Sequence, residues 1–127
     1  MKILYVEDIE INFKVMQAMT SALGLQTLDH AENGHSALNM CQDIEYDLIF
    51  MDINLPDISG LKVTEHIKCS TLNKNTPIIA VSADVTATTR EAAIEVGCDD
   101  YLTKPVNMTI LKDTLDKIID PQFATQP

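Results

Sequence analysis

The chain is expected to fold as an α/β domain, a doubly wound parallel sheet of five strands flanked by five helices. Three features of the sequence predict it. Short apolar runs alternate with stretches of helical period along nearly the whole chain. Two of those runs, Ile3–Val6 and Ile78–Val81, are apolar without interruption, as strands covered on both faces are. Glycine stands where two of the helical stretches must stop, at Gly24 and Gly97.

The elements follow in order. The first strand is read at Ile3–Val6. Ile11, Val15, Ala18, Met19 and Ala22 then recur at helical spacing and define an amphipathic face closed by Gly24. A weaker strand is read at Gln26–Ala31, followed by a helix with Ala37, Met40, Cys41 and Ile44 on its apolar side. Asp47–Met51 is the third strand and Gly60–Cys69 the third helix. Pro77–Val81 is the fourth strand, Thr86–Val96 the fourth helix, and Asp99–Leu102 a weak fifth strand. Met108, Leu111, Leu115 and Ile118 mark the last helix. Right-handed crossovers between parallel strands favour the order 2-1-3-4-5, the flavodoxin-like arrangement. Residues 1–120 are assigned to this domain, and residues 121–127, PQFATQP, to a short flexible tail.

Composition narrows the function. With 127 residues there is room for one domain. No run reaches the ~18 apolar residues of a membrane span, and the opening apolar run is too short for a secretory leader. A cytoplasmic protein without a membrane partner is expected. A net charge of −10 repels phosphate backbones and argues against direct nucleic-acid binding. Cys41, Cys69 and Cys98, like His30, His35 and His66, lack metal-ligand spacing and read as ordinary side chains.

In a doubly wound sheet, ligands sit beyond the carboxyl ends of the strands. Glu7 and Asp8 follow the first strand, Asp52 the third, Ser82 the fourth and Lys104 the fifth. Singly each is unremarkable: acids cap helices, Asp suits turns, and a serine or lysine on a loop is common. Together they place three carboxylates, a hydroxyl and an ammonium on one rim. Crowded carboxylates repel unless a cation sits among them or some hold protons. Hard oxygen donors with an open side suit Mg²⁺ or Mn²⁺, and the lysine opposite suits an anion. That combination is the equipment of phosphoryl transfer.

The acidic pair in ILYVED, the aspartate in IFMDINLPDISG, the hydroxyl in IIAVSA and the Lys-Pro in DDYLTKP occur in the order and at the spacing of response-regulator receiver domains. The chain resembles this CheY-like family of two-component signalling from Lys2 to about Ile119. The resemblance implies that Asp52 is the phosphoacceptor. It implies a metal site formed by Asp8, by Glu7 partly through water, by Asp52 and by the backbone carbonyl of Asn54. Lys104 would hold a phosphoryl oxygen, or the Asp52 carboxylate in its place. Ser82 would move onto the phosphoryl group, and Tyr101 would be the aromatic whose orientation follows it. Asn54 and Asp84 would flank the path of the hydrolytic water, and Pro105 would follow a cis peptide. Ile9 departs from the Asn common at its position, and Ser82 from the commoner Thr, without loss of a ligand or of the hydroxyl.

The implied partners are a sensor histidine kinase or a phosphotransfer protein as donor, and a protein target met by the fourth helix, fifth strand and fifth helix. The chain would be a phosphoacceptor that catalyses only its own phosphorylation and slow dephosphorylation, whether as a stand-alone regulator or as the receiver of a hybrid kinase. Two other classes share parts of this pattern. A flavodoxin-type redox module needs a Ser/Thr/Gly-rich phosphate loop where this chain has VEDIEIN. An aspartyl-phosphate hydrolase of the haloacid-dehalogenase type needs a second Asp two residues past the nucleophile, where this chain has Asn54.

Overall fold

The computed structural model describes residues 1–118 apart from 26, 71 and 85; the 121–127 tail and the start of the Gln26–Ala31 run lie outside the described residues. Ten elements alternate: β1 (Ile3–Val6), α1 (Glu10–Ala22), β2 (Asp29–Ala31), α2 (Gly34–Asp43), β3 (Leu48–Asp52), α3 (Gly60–Lys68), β4 (Ile78–Ser82), α4 (Ala87–Glu95), β5 (Asp100–Thr103) and α5 (Met108–Ile118). The strands form one parallel sheet in the order β2-β1-β3-β4-β5.

Because strand side chains alternate faces, each buried strand feeds two cores. Leu4, Val6, Ile49, Met51, Ile78 and Ala80 face Ala37, Cys41, Val63, Ile67 and Ala93 of α2, α3 and α4. Ile3, Tyr5, Leu48, Phe50, Ile79 and Val81 face Phe13 and Met16 of α1 and Leu111 and Leu115 of α5. β1, β3 and β4 are buried at every position, which is why they read as unbroken apolar runs.

Of the face predicted for α1, only Met19 packs inward. Phe13, Met16 and Thr20 are its buried residues, with Met19 and Leu23 packed beside them. Ile11 and Val15 are 63% and 51% exposed, and Ala18 and Ala22 are exposed too. Thr20 masks the true stripe, because its hydroxyl donates to the Met16 carbonyl and travels inward as if apolar. The competing apolar row faces solvent.

Helix ends follow the expected chemistry. Gly24 and Gly97 take φ values of 88° and 114°, conformations that L side chains rarely adopt. Asn33, Ser59 and Thr86 cap α2, α3 and α4, accepting hydrogen bonds from Ser36, Leu61 and Thr89 amides respectively. Gly60 matters for another reason: a Cβ there would lie 2.1 Å from the Asp52 carbonyl oxygen. Only glycine lets α3 start directly against the end of β3.

Candidate functional site

β1, β3, β4 and β5 end side by side, and the side chains just past their ends converge. A carboxylate oxygen from each of Glu7, Asp8 and Asp52 lies within 4.8 Å of the other two. Lys104 directly follows β5 and is joined to Pro105 by a cis peptide, and its own amide donates to the Ser82 carbonyl. Its ammonium reaches back over the strand ends to Glu7 Oε1 at 2.7 Å and Asp52 Oδ2 at 3.1 Å.

The three acids differ sharply in environment. Glu7 is fully buried; Oε1 accepts from the Tyr5 hydroxyl at 2.8 Å and from Lys104, and Oε2 from the Ile9 amide at 3.3 Å. Asp52 is 3% exposed, with Oδ1 accepting from the Asn54 amide at 3.0 Å and Oδ2 from Lys104. Asp8 is exposed. Ser82 is buried, its hydroxyl oxygen accepting from the Asp84 amide at 3.1 Å. Tyr101 is 7% exposed; its hydroxyl donates in a short hydrogen bond to the Asp84 carbonyl, and the Arg90 guanidinium lies over its ring, 5.4 Å from the centroid.

Electrostatics follow from this crowding. Burial, and then neighbouring Glu7, push the Asp52 carboxyl up to about 6, against the pull of the Asn54 amide and Lys104. Burial also acts to raise Glu7, but hydrogen bonds from Lys104, Asp52 and Tyr5 outweigh it and hold Glu7 below the ordinary carboxylate range. Lys104 rises above the usual lysine value because contacts with Glu7 and Asp52 overcome its own desolvation. With all three ionised, three carboxylates against one ammonium leave two negative charges unbalanced, which is why the proton affinity of Asp52 is raised. An oxygen-rich set short of two positive charges fits a divalent, hard cation.

The structure thus brings Glu7, Asp8, Asp52 and Lys104 together and sets Ser82 beside them on the neighbouring strand end. Asn54 contributes its amide to Asp52, and Tyr101 stands one step out, joined to the Ser82 loop through Asp84. Sequence reasoning missed Tyr5. The signal was present: a tyrosine two residues before Glu7 on a strand points to the same face and needs a partner for its hydroxyl.

Residues 3–116 match the family model described as the response regulator receiver domain, and the chain belongs to that family. Its members are phosphoacceptor switches of signal transduction. The chain is 40% identical over 119 residues to hybrid signal transduction histidine kinase G of Dictyostelium discoideum, covering 92% of this chain and 4% of that protein. It therefore spans a small part of that relative's length. The receiver domain of the sensor histidine kinase PA1611 from Pseudomonas aeruginosa, solved with a magnesium ion coordinated in its active-site cleft, superposes with a TM-score of 0.85. That pair is 33% identical, and 94% of this chain and 97% of that one are covered. A chain in the co-crystal structure of the Saccharomyces cerevisiae histidine phosphotransfer signaling protein Ypd1 with the receiver domain of its downstream response regulator Ssk1 matches with a TM-score of 0.85 and 28% identity. There 96% of this chain and 90% of that one are covered.

Proposed function

We propose that this domain receives a phosphoryl group on Asp52 from a phosphohistidine, with Mg²⁺ or Mn²⁺ bound at the acidic rim. The observation that carries the assignment is the division of donors among the acids. Glu7 already accepts from three donors and is fully buried, and Asp8 is exposed. Asp52 alone ends the central strand with its carboxylate oriented between an amide and an ammonium. A nucleophile held in that way loses little orientational freedom when it reacts.

Asp8, Asp52 and the Asn54 carbonyl would hold the cation, with Glu7 acting partly through water. The cation would supply positive charge to the phosphoryl oxygens. An Asp52 oxygen forms the new O–P bond while the N–P bond of the phosphohistidine breaks, and the imidazole leaves with its electron pair and takes up a proton. Lys104 moves from its carboxylate partners toward a phosphoryl oxygen, and Ser82 donates its hydroxyl hydrogen to another. The phosphorylated side chain adds about −2 charge. Drawing Ser82 inward pulls on Asp84, and through it on Tyr101 and α4, so the face made by α4, β5 and α5 carries the output to a protein target. Hydrolysis of the acyl phosphate, with Asn54 and Asp84 flanking the water, resets the switch.

The donor is a histidine kinase or phosphotransfer protein, a reading supported by the hybrid-kinase relative and by the Ypd1 co-crystal neighbour. A macromolecular donor must cover the rim to bring its phosphohistidine to Asp52. The exposed row of Ile9, Ile11 and Val15 begins beside Asp8 and offers the adjoining apolar surface.

Incubation with acetyl phosphate and Mg²⁺ tests the assignment by intact mass. One phosphoryl group is expected on the parent and none on Asp52→Ala. Asp47→Ala, at the opposite end of β3, should label fully. Equal labelling of Asp52→Ala overturns the reading.

A further inference from the structure

Glu7 is held by more than the charges around it. Its carboxylate takes the Tyr5 hydroxyl at 2.8 Å, and its main-chain carbonyl oxygen accepts from His30 Nε2 at 2.7 Å. Those two donors are joined by stacked rings. Tyr5 lies on Phe13 with centroids 6.3 Å apart and 25° between planes, and Phe13 lies on His30 at 4.0 Å and 11°. Phe50 meets the Tyr5 ring edge-on at 6.0 Å. The chain of rings begins and ends on the same residue, and Tyr5 is 1% exposed within it.

We propose that Tyr5 is a positioning residue for the divalent cation, acting through Glu7; this deepens the metal-site reading above and rests on it. A buried glutamate has three side-chain torsions to fix, and Lys104 cannot fix them alone because it is shared with Asp52. Lys104 must also leave Glu7 when it turns to a phosphoryl group. Tyr5 has no such second task, because its ring is locked between Phe13 and Phe50 and its hydroxyl stays on Oε1 whichever way Lys104 moves. Glu7 therefore keeps one orientation, with Oε2 held toward the Ile9 amide, before and after the cation arrives. Side chains that orient metal-site carboxylates in this way typically control affinity by about tenfold or more.

Tyr5→Phe removes the hydroxyl and keeps the rings. Titration calorimetry with Mg²⁺ should show about tenfold weaker binding to Tyr5→Phe than to the parent. The double variant Tyr5→Phe/Glu7→Gln should bind no more weakly than Glu7→Gln, because Tyr5 acts only through that carboxylate. Thermal unfolding in chelator, run alongside, separates this role from support of the fold. A Tyr5→Phe protein that loses stability in chelator but binds Mg²⁺ as the parent does overturns the proposal. So does full additivity in the double variant. A parent that binds no Mg²⁺ overturns the metal site itself, and this inference with it.

Discussion

The two ends of the sheet solve the problem of buried polar groups in opposite ways. At the amino ends of β3 and β4, Asn73 is fully buried and makes every bond its amide group allows. Its Oδ1 accepts from the Tyr46 amide and the Thr76 hydroxyl, and its Nδ2 donates to the Cys41 and Ile44 carbonyls. One neutral side chain thereby joins the end of α2, the start of β3 and the loop before β4. At the carboxyl ends, three carboxylates crowd together, only Glu7 and Asp52 share the Lys104 ammonium, and Asp52 is left with a raised proton affinity. The first end is satisfied and closed. The second is held short of positive charge, and that deficit underlies the proposal that it takes a cation and a phosphoryl group. The same strands thus carry a rigid foundation at one end and, on the proposed function, a site that its ligands would stabilise at the other.

The comparison breaks first at Asn73. Asn73→Ala orphans the buried Tyr46 amide, the buried Cys41 carbonyl and the partly buried Ile44 carbonyl, and chemical denaturation should show a loss of about 3 kcal/mol. Mg²⁺ affinity of the folded protein should stay at the parent value. If both fall together, the two ends are not independent.

Acidity tests the other end. Without cation, Asp52 keeps its proton in the folded protein to about 6, whereas its ordinary value is 3.8. Folding therefore takes up a proton between those values. The stabilisation from Asp52 is complete below pH 3.8 and is lost as pH rises through about 6. Glu7 runs the other way: its lowered value gives stability above its unfolded pKa near 4.5, lost as pH falls through the folded value. Between about pH 4.5 and 6 Asp52 sets the trend. Metal-free protein should lose on the order of 2 kcal/mol on going from pH 4.5 to 7. Saturating Mg²⁺, which needs the ionised carboxylate, should flatten or reverse that slope. An unchanged slope with Mg²⁺ would place the cation away from Asp52.

Asp8→Asn is a smaller perturbation of the same balance. Removing one of three crowded carboxylates should raise metal-free stability by less than about 1 kcal/mol while weakening Mg²⁺ binding and slowing phosphorylation. Glu7→Gln should weaken the cation less. A variant less stable in chelator and unchanged toward Mg²⁺ would show that Asp8 serves only as a helix-end acid.

Most of the architecture was legible because burial on both faces leaves an unmistakable mark on β1, β3 and β4. The rim could be read from topology, since each candidate side chain lies within two residues of the carboxyl end of a strand. What escaped was information that sequence carries only through pairing. The face of α1 was misjudged because Thr20 hides a buried position and Ile11 and Val15 imitate one. Asn73 has no local signature: its partners lie 3 to 32 residues away in sequence. Asp57 is a similar case. It accepts from the Gly34 and His35 amides and the His35 ring, and so caps α2 from the loop after Asp52. Tyr5 was concealed by the very apolar run that identified its strand.

The smallest expected effect lies where the site meets the proposed output surface. α4 is weakly anchored, with Ala93 as its buried residue. Thr86 and Thr89 bind the Asp84 carboxylate, the Asp84 amide binds Ser82, and the Asp84 carbonyl receives the Tyr101 hydroxyl. Arg90 closes this loop by covering the Tyr101 ring from α4. A helix with so little buried area is held in place largely by such contacts, so each one tunes how readily it shifts. Arg90→Ala should cost only about 0.5 kcal/mol of stability and leave phosphorylation of Asp52 intact. Beryllofluoride with Mg²⁺ should shift amide NMR signals of the parent from Ser82 through β5. In Arg90→Ala the shifts at the site loops should persist, while those in α4 should shrink or broaden. Tyr101→Ala should blunt them further. Identical α4 responses in the parent and both variants would mean that the signal leaves the rim without passing through Tyr101.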